Sequence, residues 1–124
     1  MPVTSSRSSI KRWPKAESVL QATAAWAQRL VAAAPSVVAV GCFGSYARGE
    51  AGVGSDIDLL VVRRDGTPVP HLLGADVDAL PVPADFLHYT ETELAALLAR
   101  GGRMACVVRD EALWFAGGTQ IPGR

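Results

Sequence analysis

Gly44-Ser45-Tyr46-Ala47-Arg48-Gly49-Glu50-Ala51-Gly52-Val53-Gly54-Ser55-Asp56-Ile57-Asp58-Leu59-Leu60 is the stretch on which the reading of this chain turns. A short apolar run, Val37-Val38-Ala39-Val40, precedes it and predicts a buried strand. Gly44 then allows a tight turn and a close approach of backbone to a ligand. Ser45 follows where a helix can begin, and a helix N-terminus offers free N–H groups and partial positive charge. Such a turn suits phosphate, with the Ser45 hydroxyl as one more donor. Residues 50–55 form a glycine-rich loop, and Asp56 to Val62 reads as a second strand that opens with two acids.

Asp56 and Asp58 are two residues apart on that strand, so their carboxylates point to one face, with backbones roughly 7 Å apart. Like charges on one face repel unless a cation lies between them. Hard oxygen donors of this kind suit Mg²⁺, above all when phosphate oxygens complete the shell, although carboxylates alone do not separate Mg²⁺ from Mn²⁺. A third carboxylate would allow two ions, roughly 4 Å apart. Ala75 to Leu80 is a third strand candidate, closed by Pro81 and Pro83. It carries Asp76 and Asp78 on one face. Asp78 is the preferred third acid, because Val77 and Ala79-Leu80 flank it with apolar side chains and a buried acid without a purpose is unusual.

Outward from this centre, Pro14 suits the first position of a helix and Glu17 its first turn. Val19, Trp26 and Leu30 recur at helical spacing, and Pro35 stops the helix near Ala34. Arg63 to Pro70 is a turn-rich connection with Asp65-Gly66 as a hairpin signal. Thr90-Glu91-Thr92-Glu93 is a capping box that opens a helix through about Arg100. Gly101-Gly102 breaks it, residues 103–109 predict a further short helix, and Ala112-Leu113-Trp114-Phe115 predicts a final edge strand. The expected architecture is α/β (α+β), a small mixed sheet with helices packed on it. Residues 1–12 read as a flexible leader, and 13–120 as the folded domain.

Composition bounds the rest. With 124 residues and 49% hydrophobic side chains, the chain can bury one modest core. Twelve basic residues balance twelve acidic ones, which argues against a protein that grips nucleic acid by charge alone. The N-terminus lacks the apolar core of a signal peptide, and no apolar run is long enough for a membrane span, so a cytoplasmic protein is expected. Cys42 and Cys106 each lie in an apolar stretch and read as buried, reduced thiols. His71 and His88 are isolated and read as structural or surface residues. Trp26 and Trp114 read as core or interface, and Trp13 as packing on the first helix. Tyr46, directly after Ser45, either stacks on a base or shields the loop. High alanine and valine content leaves room for an apolar surface that docks a partner or a second copy.

The central segment resembles the signature of the DNA polymerase beta-type nucleotidyltransferase superfamily. Gly44-Ser45, a spacer of ten residues from Tyr46 to Ser55, and the acids Asp56 and Asp58 carry the resemblance. Ala47-Arg48-Gly49 and Ser55 are similar to the version in minimal nucleotidyltransferases, small bacterial and archaeal proteins often paired with a helical partner of the HEPN type. The close match covers residues 41–62, and a weaker one extends through Val77 to Leu80 and Glu111 to Phe115.

The resemblance implies the polymerase beta-type fold and in-line attack of an acceptor hydroxyl on the α-phosphorus of a nucleoside triphosphate, with release of pyrophosphate. Asp56, Asp58 and Asp78 would be the catalytic acids and metal ligands, holding two Mg²⁺ ions. Gly44 and Ser45 would hold the β- and γ-phosphates, with Arg48 touching phosphate or bracing the loop. ATP is the family's commonest donor in this size class, and its toxin–antitoxin members attach AMP to a tyrosine of their partner. The residues leave two other readings open: a non-catalytic module that binds nucleotide or partner, and a stand-alone enzyme that modifies a small hydroxyl compound.

Overall fold

The computed structural model describes residues 13–69 and 79–117. The leader 1–12, His71, Asp76 and Asp78 lie outside the described residues. The first element is helix α1, Ala16–Ala33, with Glu17 in its first turn. Val19, Thr23, Trp26, Ala27 and Leu30 recur every three or four residues and are buried. The Ala34 N–H donates to the Leu30 carbonyl, and Pro35 prevents continuation. Strand β1, Val37–Phe43, follows and is almost wholly buried. Next come the single turn of helix α2, Ser45–Arg48, and strand β2, Ile57–Arg63.

Among the described residues the strand that follows β2 lies after the two prolines. It is β3, Ala84–Thr90. Ala79 and Leu80, which were expected in a strand, lie in a tight turn and a bend; the rest of that expected strand falls outside the described residues. Proline has no N–H to donate to a ladder but keeps its carbonyl, and the Pro83 carbonyl accepts the Ile57 N–H at 2.9 Å. Pro83 therefore opens a strand instead of closing one.

Helix α3, Glu91–Arg100, begins with the expected capping box: Glu93 N–H donates to the Thr90 hydroxyl, and Thr90 N–H to the Glu93 carboxylate. The expected helix over 103–109 is a short helix α4, Arg103–Cys106, that widens into a π-turn at Val107–Glu111. Strand β4, Leu113–Ala116, is the expected edge strand.

Among the described residues four strands run in the order β3-β2-β1-β4. β1 pairs antiparallel with β2 and with β4, whereas β2 and β3 are parallel. The fold is thus the expected α/β type with a small mixed sheet. Each face of the sheet has its own core. On one face α1 brings Trp26, Ala27 and Leu30 onto Val40, Cys42, Ile57, Leu59 and Val61. On the other, α3, α4 and the π-turn bring Leu94, Leu98, Ala105 and Val108 onto Leu60 and Val62. Strand alternation decides which face each side chain joins. Among the described residues no helix is long and apolar enough to cross a membrane.

Candidate active site

Asp58 follows the alternation of β2. Its neighbours Ile57 and Leu59 are fully buried under α1, so Asp58 faces the side covered by α3, α4 and the π-turn. It pairs in register with Phe43 at the end of β1 and with Asp85 of β3. Register partners in a sheet share a face, so Asp85 stands beside Asp58. Asp56 lies just before β2, exposed, on the other side of buried Ile57. Burial first, then the charges of Asp85 and Asp56, push the Asp58 carboxyl above its ordinary value, while Arg48 pulls it down.

The Gly44–Ser45 turn abuts this acid. Gly44 has φ 77° and ψ −152°, a conformation essentially confined to glycine. A Cβ at Gly44 would run into the Asp58 carboxylate. The glycine is thus demanded twice, by its backbone angle and by the acid lying against it. The Gly44 N–H donates to Glu111 Oε2 at 2.9 Å. Arg48, at the end of α2, donates through Nε to Glu50 at 2.9 Å and through Nη1 to Glu111 at 3.4 Å.

Phe43, Gly44, Ser45, Arg48 and Asp58 form one wall of an open cleft of about 530 Å³; Arg103, Met104, Val107 and Glu111 form the other. Ser45 and Asp58 therefore look into one space. Four of the six residues read from the sequence as the site, Gly44, Ser45, Arg48 and Asp58, line the cleft. Asp56 is exposed and not part of the lining, and Asp78 lies outside the described residues. Sequence reading missed Asp85, Arg103 and Glu111. Asp85 carried a signal, since the aromatic residues Phe86 and Tyr89 near it favour a strand. Arg103 and Glu111 carried none, because only the tertiary fold brings α4 and the π-turn over the Gly44–Ser45 turn.

One expectation changes around the site, and one open reading is decided. Cys42 is buried as expected, and burial pushes its thiol up to about 11. Cys106 is exposed, because it falls on the outer side of α4 while Ala105 takes the core position. Tyr46 is buried. Its hydroxyl donates to the Ser55 carbonyl at 3.3 Å and accepts from Trp13 Nε1 at 3.5 Å. Tyr46 thus braces the glycine-rich loop from inside and is turned away from any base in the cleft.

A four-stranded mixed sheet with a Gly-Ser turn beside strand-borne acids is the architecture of a nucleotidyltransferase domain. The nucleotidyltransferase domain family matches residues 27–100, more than half of the chain, and the chain belongs to that family. Its fold is similar to that of a protein from Sulfolobus solfataricus assigned as a nucleotidyltransferase, at 18% identity over 82% of this chain and 86% of that one, with a TM-score of 0.50. It is similar too to a chain of a toxin–antitoxin structure with AMP-PNP, at 21% identity over 75% of this chain and 71% of that one, also with a TM-score of 0.50. No curated protein matches the chain in sequence.

Proposed function

We propose that this nucleotidyltransferase passes a nucleotidyl group, AMP from ATP, to an acceptor hydroxyl with release of pyrophosphate. The observation that carries the reading is the turn itself: Gly44 packs against Asp58 while its N–H and Arg48 already hold an anion, the Glu111 carboxylate. A turn that binds a carboxylate beside an acidic strand pair is a place where a triphosphate and a cation can meet.

Among the described residues no three His, Cys, Asp or Glu side chains form a metal-binding cluster, so the acids offer an ion a pair of carboxylates that substrate phosphates would complete. Asp58 is crowded by Asp85 and Asp56, so the group carries more negative charge than Arg48 relieves. Mg²⁺ is commonly held by one or two carboxylates together with substrate phosphates. Asp58 and Asp56 would hold it; when bound, such an ion neutralises triphosphate charge and favours departure of pyrophosphate. Gly44, Ser45 and Arg48 bind and orient the β- and γ-phosphates. The acceptor oxygen bonds to the α-phosphorus as the α–β phosphoanhydride bond breaks. The acceptor proton passes to the third carboxylate. Asp85 is our assignment for that role, because it stands beside Asp58 in register; Asp78, read from the sequence, is its rival.

The toxin–antitoxin neighbour is a likeness of fold. It makes a HEPN-type helical protein the acceptor to try first, with the chain as its antitoxin. The test incubates the chain with Mg²⁺, α-labelled ATP and such a partner and follows the label. Asp58→Asn is expected to cut transfer by about 10³-fold or more. Asp85→Asn should match it if Asp85 is the third acid, while Asp78→Asn should leave transfer near wild type. Transfer that survives Asp58→Asn overturns the reading.

A further inference from the structure

Glu111 ends the π-turn, and such turns often mark functional positions. The Ala112 N–H reaches back to the Val107 carbonyl at 2.9 Å, which sets the wide turn and delivers Glu111 to the cleft. Its two carboxylate oxygens do different things. One accepts the Gly44 N–H and the other accepts from Arg48. The side chain is 20% exposed, so this is a half-sheltered contact rather than a loose surface pair. Both donors are ones that the proposed function assigns to the terminal phosphates.

We infer that Glu111 is an internal competitor for the β- and γ-phosphate site, a specificity-determining residue that weakens the grip on pyrophosphate and so favours its release. The inference rests on the phosphate-binding reading of the turn. A terminal phosphate that takes the Gly44 N–H and the Arg48 guanidinium must displace the Glu111 carboxylate. When pyrophosphate departs, the carboxylate returns and satisfies both donors. A nucleoside monophosphate has no β- or γ-phosphate and never meets this competition. Glu50 also pairs with Arg48, but it is 64% exposed and the Gly44 N–H goes to Glu111, so it competes for one donor only.

Calorimetric titration with inorganic pyrophosphate, and separately with AMP, both in Mg²⁺, tests this on the full chain. Glu111→Gln keeps an acceptor for the Gly44 N–H and removes only the charge; it is expected to bind pyrophosphate about five- to tenfold tighter, with AMP unchanged. Glu111→Ala, which removes the competitor entirely, should gain at least as much, and Glu50→Gln less. Unchanged or weaker pyrophosphate binding by both Glu111 variants, with wild type binding normally, overturns the inference and leaves the proposed function standing. An equal gain for AMP also overturns it, because the effect would then be general charge relief. If wild type binds neither ligand, both this inference and the phosphate-site reading fall. Two variants at one site keep the test decisive if one of them fails to fold.

Discussion

The two faces of the sheet are built to different standards. One is sealed by a single 18-residue helix that lays Trp26, Ala27 and Leu30 across the buried side chains of β1 and β2. The other is covered by pieces: a helix of 10 residues, a helix of 4 and a π-turn of 5. Short covers leave a gap, and the gap is the cleft that Asp58, Ser45 and Arg48 line. The difference teaches that one face holds the fold while the other gives up continuous packing to expose polar groups.

The largest test of that division sets Trp26→Ala against Leu94→Ala. Both side chains are about 1% exposed. Trp26→Ala should cost about 3–5 kcal/mol, and Leu94→Ala about 2–3 kcal/mol, since a short helix can settle into the space left behind. Urea midpoints at unchanged slope measure both; equal costs would erase the distinction between the faces. Gly44→Ala sharpens the comparison at the cleft. Backbone strain at φ 77° should cost about 1–3 kcal/mol, and displacement of Asp58 should remove transfer while the circular dichroism of the fold persists.

The smallest effect has the opposite sign. Asp58 is held above its ordinary carboxyl value, so its ionised form destabilises the native chain at neutral pH. Asp58→Asn should therefore raise the melting temperature near pH 7. The folded chain takes up that proton at higher pH than the unfolded chain does. The advantage of the variant should thus shrink as pH falls through the raised folded value, and vanish below the ordinary value of 3.8. A variant that melts lower than wild type at pH 7 would place Asp58 among the stabilising residues instead.

Much of this was legible beforehand for local reasons. Helix α1 announced itself through Val19, Trp26 and Leu30 between two prolines, and α3 through a capping box four residues long. The Gly44–Ser45 turn and Asp58 were legible because glycine, serine and paired acids have few other uses at that spacing. Strand β3 at Ala84–Thr90 is hidden from a local reading because Pro81 and Pro83 read as strand enders, whereas a proline carbonyl can start a ladder as readily. Glu111 was invisible because its partner Gly44 stands 67 residues away, and no local pattern encodes such a contact. Tyr46 could be read either way until the fold turned its ring inward.

That separation in sequence also bears on the order of events during synthesis. β1 and β2 can meet as soon as both have left the ribosome, but β4, which covers the far side of β1, is made about 70 residues after it. Until then the nascent sheet presents an apolar strand with unpaired backbone groups, the kind of edge to which other chains stick. The growing chain is therefore most in need of a chaperone just before Leu113–Ala116 arrives, and a stall at that point would leave it adhesive as well as inactive.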